Sequence, residues 1–485
     1  MKQHKIKSLI ALTLVIALIV SLPITAFAVG TRGYTAQIMQ GNTMEEDDCR
    51  AIENGLLNSG GYASGDIYER GWTYVNSTTS SINPVRATAA QFVASKNYTF
   101  AYFSGHGTAL NGPRLNVPGA TNLTGGTYTE FYVADELNVL NSTWRTDSKW
   151  KTGDDLRVLV IAACKQLDSS VMHYYARAMR ASSVMAIAGY HETSPGHSAD
   201  MGVATRFLNT ANGNNSVKHS WYDANTTAEK TYPWAVLVYT ESNNEYYRIP
   251  GFPVYSYPAP SSTAAVYRFR SGQSGSAIVS YSKSRGTSES MPLYLSVIDT
   301  RAGADTTNNR EAVGTTNNLP VNTQLGDTYV KKLLKTDDLS ELTIVQTPVY
   351  RDEINVDSGG AVANTETIVE RIYHYYNTYN GIKISDAAII VSVDENGIYN
   401  VKDNWKVPVE SSRSSWVSSN SIITESQAWI NVASSMSERI ELLRSDLVYA
   451  PITGTAGEYK LAYEILCVDS RMFYVDAENG SIYEV

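Results

Sequence analysis

Two segments carry residue types able to do chemistry together. Phe100-Ala-Tyr-Phe-Ser-Gly-His106-Gly107 and Val158-Leu-Val-Ile-Ala-Ala-Cys164 each end a continuous apolar run. A thiol becomes a strong nucleophile only on losing its proton, and a nearby imidazole can accept that proton or stabilise the thiolate. In that reading Cys164 is the nucleophile and His106 the general base and acid. Gly107 lets the backbone come close to a substrate, with its N–H directed at a developing oxyanion. The N–H of Cys164, at the turn leaving its strand, is a natural second donor. The competing reading is bland: Cys is among the most buried residue types, so Cys164 is core and His106 a structural histidine.

The elements that must position this pair follow from periodicity. Tyr34 to Met39 reads as a strand. Thr43 to Leu57 reads as a helix, with Thr43 as N-cap and Glu46 at the capping-box position. Asn83 to Ser95 is a second helix, with Pro84 at its start. Tyr98 to Phe103 and Arg157 to Ala163 have the uninterrupted apolar character of strands buried on both faces. Helix Ser169 to Arg180, strand Ser183 to Tyr190, helix Ala199 to Asn209 and strand Trp234 to Thr240 complete the pattern. Such alternation implies right-handed crossovers and a largely parallel sheet, with chemistry at the carboxyl ends of its strands.

His106-Gly107 and Ala163-Cys164, each closing an apolar strand, resemble the paired blocks of the caspase–legumain–gingipain–clostripain superfamily of cysteine peptidases, clan CD. The resemblance covers about residues 31 to 250. It implies a caspase-hemoglobinase fold: α/β, a mostly parallel sheet with helices on both faces. It also implies peptide-bond hydrolysis through a Cys164 thioester, with Gly107 N–H in the oxyanion hole. Lys165-Gln166-Leu167-Asp168 departs from subfamily signatures, so the resemblance carries no cleavage specificity. The same blocks, Ser-Gly-His-Gly and Ala-Ala-Cys, also resemble exported bacterial domains of unsettled function. A non-catalytic secreted or surface binding protein that keeps the fold is the alternative.

The loop His191-Glu-Thr-Ser-Pro-Gly-His197-Ser-Ala-Asp200 follows the next strand and falls at the same sheet edge. His191, Asp168 and Asp200 are the candidate substrate-binding residues, with Asp168 or Asp200 able to select a cationic side chain. The bland reading of each carboxylate, a solvated loop group or a helix N-cap, is the favoured one. As metal ligands, His191, Glu192, His197 and Asp200 lack an established zinc spacing, so no metal is expected. The thioester chemistry needs no cofactor, and no motif supports calcium. Trp221 and Trp234 read as cleft or core. Cys49, in the acidic stretch Glu45-Glu-Asp-Asp48, is disfavoured as a thiolate, and Cys467 in Tyr463-Glu-Ile-Leu-Cys467-Val reads as packing.

A Pro/Tyr-rich break at Ile249 to Pro260 suggests a boundary. The division expected is a signal peptide at 1–28, a peptidase-like domain at 31–250, a linker and β-rich segment at 251–325, and an α+β region at 326–485. That last region holds a two-fold echo. A helix (Asp327 to Leu334, then Thr424 to Met436) precedes long strands and a tight turn, Asp394-Glu-Asn-Gly397 and Asp476-Ala-Glu-Asn-Gly480. Tyr459 to Asp469 with Arg471 to Ile482 resembles the PepSY domain. Tyr373 to Ile384 with Ile389 to Gly397 resembles the module that precedes PepSY in thermolysin propeptides. The resemblance implies an inhibitory or chaperoning pro-region, here an intramolecular C-terminal regulator placed after the domain it would regulate.

Composition sets the surroundings. The chain has 485 residues, 43% hydrophobic and 18% charged, which excludes a disordered or collagen-like protein. Its 39 Lys and Arg against 48 Asp and Glu give a net charge of −9, unsuited to neutralising phosphates, so nucleic acid is not an expected partner. Three cysteines cannot all pair within the chain. Lys2, Lys5 and Lys7, the apolar run Leu9 to Val20 and Ala26-Phe27-Ala28 form a secretory signal with a cleavage site. The expectation is an exported protein, secreted or on the cell surface, with no membrane span after signal removal and a protein or peptide as substrate.

Overall fold

The computed structural model describes residues 34–485 except 42–46, 71, 77–78, 83–87, 119–127, 197, 214, 241–246, 253–264, 273–277, 281–290, 300–305, 308–322, 355, 357–366, 395–396, 412–415, 419–420, 437–439 and 468–470. The signal segment, Thr43, Glu46, Pro84 and His197 therefore lie outside the described residues.

The apolar runs become strands. β1 (Ala36–Gln40), α1 (Asp47–Asn58) and β2 (Ile67–Arg70) come first. Then α2 (Ala89–Ala94), capped by the Thr88 side chain accepting from Gln91 N–H, leads into β3 (Phe100–Ser104). β4 (Val158–Ala162), α3 (Met172–Ala181) and β5 (Ala186–Tyr190) follow. These strands pair in parallel in the order β2-β1-β3-β4-β5. Every residue of β1, β3, β4 and β5 is buried, as strands covered on both faces must be. Successive residues of β3 identify the two covers. The Tyr102 hydroxyl donates to Asp48 of α1 at 2.9 Å. Phe103, on the opposite face, meets Phe92 of α2 with ring centroids 6.1 Å apart.

After β5 come α4 (Ser198–Asn212), α5 (Val217–Ala224) and β6 (Trp234–Thr240). β6 departs from the expected parallel arrangement: it runs antiparallel to β5, with Trp234 opposite Tyr190. Two helices separate these strands instead of one, so the chain re-enters the sheet from its other end.

The break expected after residue 250 is not a break in the sheet. β7 (Ala265–Ser271), within the stretch read as linker and β-rich segment, lies between β6 and β8 (Thr343–Ile354), antiparallel to both. β9 (Thr367–Tyr379), β10 (Ile382–Asp394) and β11 (Gly397–Asp403) extend it as a meander, preceded in the chain by α6 (Thr323–Leu334). Val266, Phe269, Val349, Ile354, Ile372 and Ile390 belong to the same core as β1 to β6. The molecule is thus mixed α/β, with a parallel half and an antiparallel half sharing one sheet.

The two-fold echo is realised as a helix plus a four-stranded antiparallel meander, twice. In the second copy α7 (Glu425–Ser435) precedes β12 (Leu442–Ala450), β13 (Glu458–Cys467), β14 (Met472–Asp476) and β15 (Ile482–Glu484). Val330 of α6 packs with Tyr373, Tyr375, Val391 and Val401, whereas Ala428 and Val432 of α7 pack with Ile465, Cys467, Phe473 and Val475. Gly397 and Gly480 close the two expected turns at φ 116° and 78°, a region only glycine enters cheaply. Among the described residues no helix is long and apolar enough to cross a membrane.

Candidate functional site

The register of β3 and β4 brings the two chemistry-bearing segments together. Ser104 lies beside Ala162, and Gly105 N–H donates to Ala162 O at 3.2 Å. His106 and Cys164 therefore leave the same edge of the sheet from neighbouring strands. Gly107 is pressed against the cysteine turn: a Cβ there would lie 2.8 Å from Cys164 O and 3.0 Å from Ala163 Cβ. Only a residue without a side chain permits this approach.

Beyond His106 the chain forms a ribbon of Gly107–Thr108, Arg114–Pro118 and Tyr128–Tyr132. Asn116 N–H donates to His106 O at 3.0 Å. That bond makes Gly107 and Leu115 a non-hydrogen-bonded pair of the ribbon, so Gly107 N–H faces away from the strand it pairs with. His106 itself is solvent-exposed.

Cys164 is half-buried. Its Sγ accepts from Ser194 N–H at 3.3 Å and lies 3.3 Å from Ser194 Oγ. Burial pushes the thiol above its ordinary value; the two Ser194 groups pull it back, Asp200 raises it further and Lys165 opposes Asp200. In this resting arrangement the sulfur is a thiol held by a serine.

The turn after Cys164 is strained and tightly bracketed. Lys165 sits at φ 58°, left-handed and costly for a residue with a side chain, on the order of 1–2 kcal/mol. Lys165 N–H donates to Glu192 O at 2.8 Å and Leu167 N–H to Tyr190 O at 2.9 Å. The buried Gln166 amide donates to Cys164 O at 3.1 Å, Arg114 O at 3.0 Å and Thr108 O at 3.3 Å. Its oxygen accepts from Tyr175 OH at 2.6 Å. Gln166 thus ties the cysteine turn to the ribbon that follows His106. Ser194 and Gln166 are the site residues that sequence reasoning missed, because their role lies in partners distant along the chain.

The three candidate substrate-binding residues are placed differently. Asp200, in the first turn of α4, is half-buried and its charge is felt at Cys164, Tyr102 and Tyr190. Asp168 caps its own turn, accepting from Ser170 N–H at 2.9 Å and Ser170 Oγ at 2.6 Å. His191 is buried at 4% exposure, its Nε2 3.3 Å from Ser271 Oγ on β7. Burial, then Arg268 and Arg270, push this imidazole well below its ordinary value, so it is neutral. His191 is therefore packed against β7, whereas Asp200 is half-buried.

The other two cysteines stand apart. Cys49 donates to Gln40 Oε1 at 2.8 Å, beside the buried Asp48, whose carboxyl is raised by burial against hydrogen bonds from Ser104, Tyr102 and Cys49 N–H. Cys467 is core, as are Trp221 and Trp234. Among the described residues there is no group of three or more His, Cys, Asp or Glu side chains able to hold a metal ion.

No family model matches the chain, and no curated protein matches it. Among solved structures, an uncharacterized protein from Eubacterium rectale aligns with 53% of this chain and 74% of its own, at 11% identity and a TM-score of 0.22. A likeness at that level carries no argument about fold or function.

Proposed function

We propose that the chain is an exported cysteine endopeptidase of caspase-like fold, with a PepSY-like pair of modules as its C-terminal half. Cys164 attacks the scissile carbonyl to form a thioester, and His106 takes the thiol proton and returns it to the leaving amine. The N–H groups of Gly107 and Cys164 stabilise the oxyanion. The substrate is a protein or peptide, and this acyl transfer requires no cofactor. The observation that carries the reading is the contact of Gly107 with Ala163 and Cys164 across adjacent parallel strand ends. Asp200 meets the substrate side chain, a role supported by the reach of its charge to Cys164.

One observation favours the different-class reading of a non-catalytic secreted or surface binding protein: burial raises the Cys164 thiol while Ser194 occupies its sulfur. A casein-type substrate separates the two. Cleavage that disappears in Cys164→Ala and His106→Ala supports the peptidase. Cleavage unchanged in folded Cys164→Ala sinks it in favour of the binding protein.

A further inference from the structure

The turn carrying the nucleophile is fastened from two directions. Lys165 N–H, Leu167 N–H and Cys164 O all find partners within residues 31–250. Leu167 O accepts from Arg268 Nη1 at 2.9 Å, a donor arriving from β7. Arg268 is 2% exposed, and a buried guanidinium needs a counter-charge. Asp352 of β8, 1% exposed, supplies it: Oδ2 lies 2.8 Å from Arg268 Nε and 2.6 Å from Nη2. Arg270 Nε reaches the same oxygen at 3.2 Å. β7 and β8 are neighbours in the shared sheet, with Arg268 directly opposite Asp352. The planar guanidinium suits the task, since its donors diverge in a fixed fork and can serve a carboxylate and a carbonyl at once.

We propose that Arg268 is a positioning residue through which Asp352 of the C-terminal half holds the nucleophile turn in shape. By fixing Leu167 O, Arg268 keeps the left-handed turn at Lys165 closed and holds Cys164 against Gly107. This rests on Cys164 being the nucleophile, and it makes the C-terminal half a part of the site's scaffold. A released pro-region would take Asp352 with it and leave Arg268 buried beside Arg270 without a carboxylate between them.

The test uses the full-length chain. Arg268→Met leaves Asp352 paired one-to-one with Arg270, so the fold is expected to survive. Amide hydrogen exchange in a peptide spanning residues 163–171 should quicken by about tenfold or more, with β3 and β5 unchanged. On a cleaved substrate kcat should fall about tenfold with KM within about twofold, the pattern of a misaimed nucleophile. Arg268→Lys should recover part of both losses, because a point charge reaches one partner but cannot fork. Should Arg268→Met not fold, Arg268→Lys is read against wild type by the same exchange measurement. Asp352→Asn, which leaves two arginines and no carboxylate, should melt below Arg268→Met. Exchange and kcat unchanged in a folded Arg268 variant, or the reverse melting order, overturns the proposal. If wild type cleaves nothing, the peptidase reading fails while the exchange arm still decides whether Arg268 orders the turn.

Discussion

The Cα of Gly107 sits so close to the Cys164 carbonyl that a methyl group added there would lie 2.8 Å from that oxygen and 2.6 Å from Gln166 Nε2. Two residues far apart in the chain are thus held at contact distance by the pairing of β3 with β4 and by one buried glutamine. Gly107→Ala should force them apart, costing about 1–3 kcal/mol of stability. Its effect on cleavage should exceed its effect on folding, because the displaced groups line the site. Thermal melting and kcat/KM on the same preparation check this. Full activity in Gly107→Ala would mean that the close approach serves packing alone.

Ser194 tunes the sulfur. Its hydroxyl and N–H both oppose the upward push that burial exerts on the Cys164 thiol. Ser194→Ala removes one donor and keeps the other, so the thiol should rise further. Iodoacetamide labelling of Cys164 should then slow near neutral pH, with its pH profile moved to higher pH. Labelling of Cys49 in the same tube controls for global change. An unmoved profile would show that the serine contact does not govern ionisation.

His374 predicts an acid limit to stability. It is buried on β9, its Nε2 2.9 Å from Thr227 O, and burial drops its pKa from the ordinary 6.5 to about 4. The unfolded chain then binds a proton before the folded one does as pH falls. This contribution is complete above about pH 6.5, shrinks between about 6.5 and 4, and does not fall further below that. It amounts to at most about 3 kcal/mol. Melting temperature should decline across this window, less steeply in His374→Gln. Equal slopes for the two proteins would assign the acid sensitivity elsewhere.

Removing residues 256–485 should not yield a hyperactive enzyme. β7 completes the pairing of β6, and Lys218–Glu370 at 2.5 Å and Asp223–Lys402 at 2.9 Å are partly buried ion pairs across the same junction. Cutting there exposes a long sheet edge and leaves Lys218 and Asp223 without these partners, conditions for aggregation. The truncated chain should be insoluble or melt well below the full chain. A soluble, folded and more active product would restore the picture of a releasable inhibitor.

The order of elements was legible from local pattern. Continuous apolar runs became β3 and β4 within two residues of expectation, because strands buried on both faces must be apolar throughout. That the segments ending in His106 and Cys164 leave the same sheet edge followed from the expected parallel sheet, in which neighbouring strand ends share an edge. The twin turns ending in Gly397 and Gly480 were legible for the same local reason: a position at positive φ favours glycine. By contrast, the Pro/Tyr-rich stretch near residue 250 suggested a boundary where the sheet continues. Proline and glycine mark where a strand stops, but not whether the next strand returns to the same sheet.

What the sequence determined by itself is the apolar strands and the helices between them that carry the two blocks, and the residues capable of chemistry at their ends, since these depend on neighbours a few positions away; β2, the ribbon after His106 and α5 were not among the expected elements. Tertiary structure alone decided that β6 turns antiparallel, that His191 is buried beside two arginines, and that the charge of Asp200 is felt at Cys164 while Asp168 accepts from Ser170 in its own turn. It alone revealed Gln166, Ser194 and Arg268 as the groups that hold the cysteine turn. Each of those outcomes depends on a hydrogen bond or charge pair between residues distant in the chain, and such a pair has no local periodicity to betray it.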